Sequence, residues 1–189
     1  MVASKDMNYN LLVNRKVAIL ASFLGMLQFL VATFTIICAF IMLGAFCENL
    51  TCEHTSTGLG FWVGFPLLIP AILGLVVLGT RHKVAVFAFL VANLVLLGLS
   101  IAHIFITLKD YDDTWEDQMK MYDNKSCSMQ GPKRCLCNTT LYGYPCDLIE
   151  FGRDLNWVLF GASIASAVFS LFGLFIGLAG ALMRSKARE

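Results

Sequence analysis

Residues Val17 to Phe46 read VAILASFLGMLQFLVATFTIICAFIMLGAF, thirty residues without a charge. About 20 apolar residues in a row suffice to cross a hydrocarbon core of about 30 Å as a helix. This run exceeds that length. It is also longer than a signal-peptide core, and no small-residue cleavage site follows it. Three further runs repeat the pattern: Phe61 to Thr80, Val84 to Thr107, and Leu155 to Met183. No water in the bilayer core satisfies a backbone N–H or C=O, so each run must bond within itself as a helix. A soluble bundle would need a polar outer stripe on every helix, and these runs have none. Composition agrees. Charged residues make up 14% of the 189 residues, and mean hydropathy is +0.72; a soluble domain carries about a quarter charged residues. The expected fold is an all-α, four-helix transmembrane bundle with a disulfide-tied cap in the second outer loop.

Lys/Arg bias orients the bundle. Lys5, Arg15, Lys16, Arg81, Lys83, Arg184, Lys186 and Arg188 flank one side, with Asp6 and Glu189 as the acids there. The loops of the other side, counted with Asp154 at their edge, carry six basic residues against eleven acids. The basic side stays in the cytosol. The expected order is a cytosolic segment 1–16, a span 17–46, an outer loop 47–60, a span 61–80, a cytosolic turn 81–83, a span 84–107, a long outer loop 108–153, a span 154–183 and a cytosolic tail 184–189.

The outer loops carry six of the seven cysteines: Cys47, Cys52, Cys127, Cys135, Cys137 and Cys146. An even set of cysteines in an oxidising compartment implies disulfides. Six cysteines allow fifteen pairings. Cys47 and Cys52 can close a small ring or reach into the long loop. A bond between Cys135 and Cys137 would be strained, so these two are expected to reach different partners. Cys38 lies inside the first span and reads as a small core residue. Three glycosylation sequons, at Asn49, Asn124 and Asn138, fall in the same outer loops, which fits lumenal exposure.

In the long loop Tyr111, Trp115, Met119 and Tyr122 recur at helical spacing, so the third span is expected to continue outward as a helical stalk with an apolar stripe. Asp110, Asp112, Asp113, Glu116 and Asp117 read as its solvated face, since the sequence lacks a calcium-loop pattern. Gly131-Pro132 and Tyr142-Gly143-Tyr144-Pro145 mark turns in a loop-rich cap. Gly173-x-x-x-Gly177 in the fourth span fits close helix packing, within the bundle or against a partner. Pro66 and Pro70 predict a kink in the second span. Tyr9-Asn10-Leu11-Leu12 matches a tyrosine-based sorting pattern, with Tyr9 and Leu12 as its anchors.

Catalytic chemistry is not legible. His54, His82 and His103 lack metal-ligand spacing, and no nucleophile elbow or phosphate-binding loop occurs. Apart from Asp154 at the edge of the fourth span, no charge lies in a span to mark an ion path. Gln28 and Asn93 are expected to hydrogen-bond across helices; His103, near the outer end of its span, is expected to be wet. No enzyme activity, cofactor, metal or nucleic-acid partner is expected.

Three stretches carry a resemblance. Gly60-Phe61-Trp62-Val63-Gly64 opens the second span. Cys127, Cys135-Leu136-Cys137 and Cys146 set the cysteine order of the long loop. Leu24-Gly25-Met26-Leu27-Gln28 lies in the first span. In these the chain resembles the sarcospan-like and membrane-spanning four-domain tetraspans, the group that includes the B-lymphocyte antigen. It departs from them in its short termini, its three sequons and its cysteines in the first loop. A tetraspanin's Cys-Cys-Gly is absent, and the long loop comes second rather than first as in claudins. The resemblance implies a non-enzymatic accessory subunit at the plasma membrane. Its partners would be the lipid bilayer and other integral membrane proteins, such as an adhesion complex or channel and receptor subunits. Tyr111, Trp115, Tyr122, Gly173 and Gly177 are the candidate partner contacts. A channel or receptor modulator or trafficking adaptor is the alternative, and a homo-oligomeric pore the third.

Overall fold

The computed structural model describes residues 13–48, 51–52, 59–112, 116–124, 126–130, 134–138, 140–142 and 144–182. Four of its helices are long and apolar enough to cross a membrane: α1 (Arg15–Phe46), α2 (Leu59–Thr80), α3 (Lys83–Asp110) and α5 (Leu148–Leu182). The short helix α4 (Glu116–Asp123) precedes three strands, β3 (Cys127–Met129), β4 (Cys135–Cys137) and β5 (Thr140–Tyr142). Two-residue strands β1 (Cys47–Glu48) and β2 (Thr51–Cys52) pair in the first loop. This is the architecture of a multi-pass membrane protein.

The long helices form a closed ring in which α1 packs on α2, α2 on α3, α3 on α5 and α5 back on α1. Their outward side chains are apolar: Phe23, Leu30, Phe34, Phe87, Leu94, Phe105, Phe172 and Phe175 all stand exposed. Burial inside follows a seven-residue period. On α3 the buried set is Val86, Phe89, Asn93, Leu96, Ser100, His103 and Thr107; on α5 the seam is Asn156, Leu159, Ser163, Ser166, Ser170, Gly173, Gly177 and Gly180, with Leu155 and Ala162 buried beside it and Ile149 and Gly152 beyond its outer end. Steps of three and four keep one seam facing the partner helix, as in a coiled coil. In lipid that seam is built from small residues that let backbones approach. Between α1 and α2 the approach is closest at Gly25 and Gly74: a Cβ on Gly25 would lie 2.7 Å from the carbonyl oxygen of Ala71.

At the α2–α3 turn, Arg81 adopts the left-handed conformation (φ 51°), which disfavours a side chain. Two hydrogen bonds hold it there. The Val13 N–H donates to the Arg81 carbonyl at 2.8 Å, and Arg81 Nη2 donates to the Val13 carbonyl at 3.2 Å. Val13 is thereby drawn beneath the bundle, where it joins Val17, Val77, Val86 and Phe89 in an apolar core.

The last long helix starts at Leu148, ahead of the expected span 154–183. Ile149, Gly152, Leu155 and Asn156 continue the buried seam outward, while Glu150, Arg153 and Asp154 occupy the other faces. Helix α3 runs to Asp110, Tyr111 keeps a right-handed helical conformation, residues 111–112 widen into a π turn, and α4 spans Glu116–Asp123. Residues 113–115, between the two, lie outside the described residues. Helix α2 runs unbroken through Pro66 and Pro70.

Candidate functional site

The cap is a three-stranded antiparallel sheet in the order β3-β4-β5. Side chains alternate across a strand, so Cys135 and Cys137 share the inner face and Leu136 points away. Cys137 pairs opposite Cys127 in the ladder and bonds to it; Cys135 bonds to Cys146. The two half-cystines flanking Leu136 therefore do reach different partners, as strain argued they must. Their Sγ atoms lie 3.6 Å apart, so the two disulfides stack against one another. Cys127, Cys135 and Cys137 have Sγ atoms close enough to share a metal ion. In this structure those sulfurs are spent in disulfides, which leaves no thiolate to coordinate.

The cap has no separate core. Cys135, Cys137, Cys146 and Tyr144 pack in one cluster with Cys38 and Met42 of α1 and with Ile149, Leu155 and Leu159 of α5. Tyr144, 2% exposed, donates its hydroxyl to Gln118 Oε1 at 2.9 Å, tying the cap to α4. Met119 and Met121 of the same helix lie against this cluster. On the outer face of α4, Glu116 accepts a hydrogen bond from Lys120 at 2.7 Å and holds its ammonium above the ordinary lysine range. Both groups are exposed, so the pair adds little to stability.

Below the cap the buried polar side chains gather along the α3–α5 seam. Ser100 and Ser166 hydroxyls meet at 2.9 Å, and the Ser163 hydroxyl lies 2.7 Å from His103 Nδ1. Ser163 also donates to the Leu159 carbonyl and Thr107 to the His103 carbonyl. Donor and acceptor roles at His103 Nδ1 follow its tautomer: a proton on Nδ1 donates to Ser163 while both hydroxyls keep their carbonyl bonds. At the centre, Gln28 Nε2 donates across the bundle to Asn93 Oδ1 at 2.7 Å, and Asn93 Nδ2 donates to the Phe89 carbonyl at 2.8 Å. The cross-helix pairing of Gln28 with Asn93 matches its expectation. The wet His103 does not: it is 3% exposed and enclosed between helices. The missed signal was the match between its heptad position and that of the α5 serines.

The candidate partner contacts fare unevenly. Gly173 faces Asn93 and Gly177 faces Leu90, both inside the bundle. These glycines therefore serve internal packing, and their role as external contacts is withdrawn. The Tyr111 ring lies 4.8 Å from that of Trp157, and Tyr122 packs against the cap core; each keeps part of its surface open. Trp115, Asn49, Tyr9 and Leu12 lie outside the described residues. Asn124 and Asn138 are exposed on the cap. The first-loop ladder sets Cys47 opposite Cys52.

No protein-family model matches this chain, and no curated protein or solved structure does either.

Proposed function

We propose that this chain is a non-enzymatic accessory subunit of a plasma-membrane protein complex, with the cap outside the cell and both termini in the cytosol. The observation that carries the reading is the core shared between the cap and the outer ends of α1 and α5. A cap fixed in this way holds a partner's ectodomain at a set height and angle above its own spans. A tethered, loosely hinged loop could not do that.

Electrostatics and burial support the same reading. Arg15, Lys16, Arg81 and Lys83 cluster at the end opposite the cap, which fits retention of that end in the cytosol. Trp62, 70% exposed, and the Tyr111–Trp157 pair fit an outer interfacial belt. Helix α5 then rises from Asn156 to Leu148 above the lipid, about 12 Å at 1.5 Å per residue. The polar seam stops at Asn93, and Val13, Val17, Val77, Val86 and Phe89 fill the inner half. That filling favours an adaptor over a conduit through one bundle. The sarcospan-like resemblance points to the same role.

The test is purification of the tagged chain from its native membrane in mild detergent, with mass spectrometry of what co-purifies and crosslinking in the intact membrane. Stoichiometric integral membrane partners are expected. A chain that crosslinks only as a monomer overturns the reading.

A further inference from the structure

Two sequons meet at one corner of the cap. Asn138 is the first residue of the two-residue turn that joins β4 to β5, since Cys137 pairs with Thr140. Its φ of 54° lies in the left-handed region, where asparagine is tolerated and where such hairpin turns favour it. Its N–H donates to the carbonyl of Ser126 at 3.0 Å, and Ser126 is the third residue of the Asn124 sequon. The Asn124 sequon is pinned in turn. The Asn124 N–H donates to Lys120, and the Ser126 N–H reaches back to the Met121 carbonyl at 3.0 Å. Cys127 follows one sequon and Cys137 precedes the other, and the disulfide between them staples the two together. Both asparagines are exposed.

We propose that Asn124 and Asn138 form a doubly glycosylated corner, and that Asn138 accepts its glycan only before the Cys127–Cys137 bond closes. The inference rests on the outward placement of the cap. Recognition of a sequon needs both the asparagine and the Ser/Thr two residues later. In the closed hairpin Thr140 is held in the ladder opposite Cys137, and Asn138 is held to Ser126. Presenting the two together requires lifting this segment off the sheet. In the transfer, the Asn138 carboxamide nitrogen attacks the anomeric carbon of a lipid-pyrophosphate-linked oligosaccharide. A C–N bond forms, one amide proton is lost, and the lipid pyrophosphate leaves with the electrons of the broken C–O bond. Closing the disulfide removes two protons and two electrons from the Cys127 and Cys137 thiols, taken up by a disulfide-bearing oxidant that becomes a dithiol. The two reactions compete for the same open segment.

The experiment expresses the full chain in a secretory cell line and reads glycosidase-sensitive mobility for the wild type, N124Q, N138Q and C127S. Cys127 lies outside the Asn138 sequon, and occupancy is read whether or not the variant completes its fold. With Asn49→Gln in every variant, so that the third sequon is silent, the N124Q background with wild-type cysteines should give a doublet, and C127S or a membrane-permeant thiol added during synthesis should collapse it to the upper band. A doublet that C127S leaves unchanged overturns the ordering, as does a pulse-chase in which chains with the Cys127–Cys137 bond already closed go on to acquire the Asn138 glycan. Absence of glycan at both asparagines in every variant overturns the outward placement of the cap as well, which separates the two failures.

Discussion

A single methyl group at Gly173 tests the packing of the bundle centre. A Cβ built there collides with the carboxamide of Asn93, the group that accepts from Gln28 and donates to Phe89. Alanine gains about 0.8–1.0 kcal/mol over glycine in helix propensity. Against that, forcing extra volume into a packed core costs about 1–3 kcal/mol. Displacing the amide also weakens a buried interhelical hydrogen bond, about 0.6 kcal/mol on average and up to about 1.7. Gly173→Ala should therefore destabilise the bundle by about 1–4 kcal/mol. Gly161, on the same helix, has open space around its Cβ position. Gly161→Ala should retain only the propensity gain, up to about 1 kcal/mol of added stability. The assay is unfolding of the purified protein in mixed micelles by titrated SDS, followed by far-ultraviolet circular dichroism. The internal control removes effects common to both glycines. Equal midpoints for the two variants would refute the placement of Asn93 against Gly173. A loss of partner binding by Gly161→Ala with unchanged folding would instead locate an external interface on α5.

Three further predictions address the cap and the seam. Replacing Cys137 with Ala opens a loop with a sequence separation of 10; chain entropy then predicts a loss of about 2.7 kcal/mol, read as faster proteolysis of the cap and lower surface delivery, and wild-type resistance would argue that the disulfide does not hold the cap. Tyr144→Phe leaves the Gln118 oxygen without that donor in a buried site and should cost about 1–3 kcal/mol, measured by thermal unfolding; an unchanged midpoint would count against a buried Tyr144–Gln118 bond. Non-reducing peptide mapping should find Cys47 joined to Cys52, as their facing positions in the first-loop ladder imply, and a bond from either to the long loop would contradict the sheet pairing.

Much of the membrane architecture was readable from run length alone, because lipid leaves the backbone only one way to satisfy itself over Val17 to Phe46. The ends of the helices were harder. Leu148 to Asp154 reads as loop because Glu150, Arg153 and Asp154 interrupt the apolar run, yet they occupy faces that Ile149 and Leu155 leave free. The stalk that Tyr111, Met119 and Tyr122 predict by helical spacing is described on both sides of residues 113–115, as the outer end of α3 and as α4. Residue types in the long loop announced its disulfides; their connectivity became visible once Cys135 and Cys137 fell on one face of β4. His103 and the serines of α5 were each visible, but a contact between segments 60 residues apart is a property of register between two helices. Neither helix specifies it alone. No local pattern indicates a partner, since lipid-facing and protein-facing apolar surfaces share the same residue types.

The shared core beneath the cap has a consequence for biosynthesis. Its floor is laid by Cys38 and Met42, which leave the ribosome early, and by Ile149, Leu155 and Leu159, which leave it late. The crown cannot be seated until the last span has been threaded and docked beside the first. A nascent chain stalled before α5 exposes its half-cystines without a foundation, so under the proposed outward placement the finished crown certifies, to anything that inspects the lumenal side, that the bundle below it is complete.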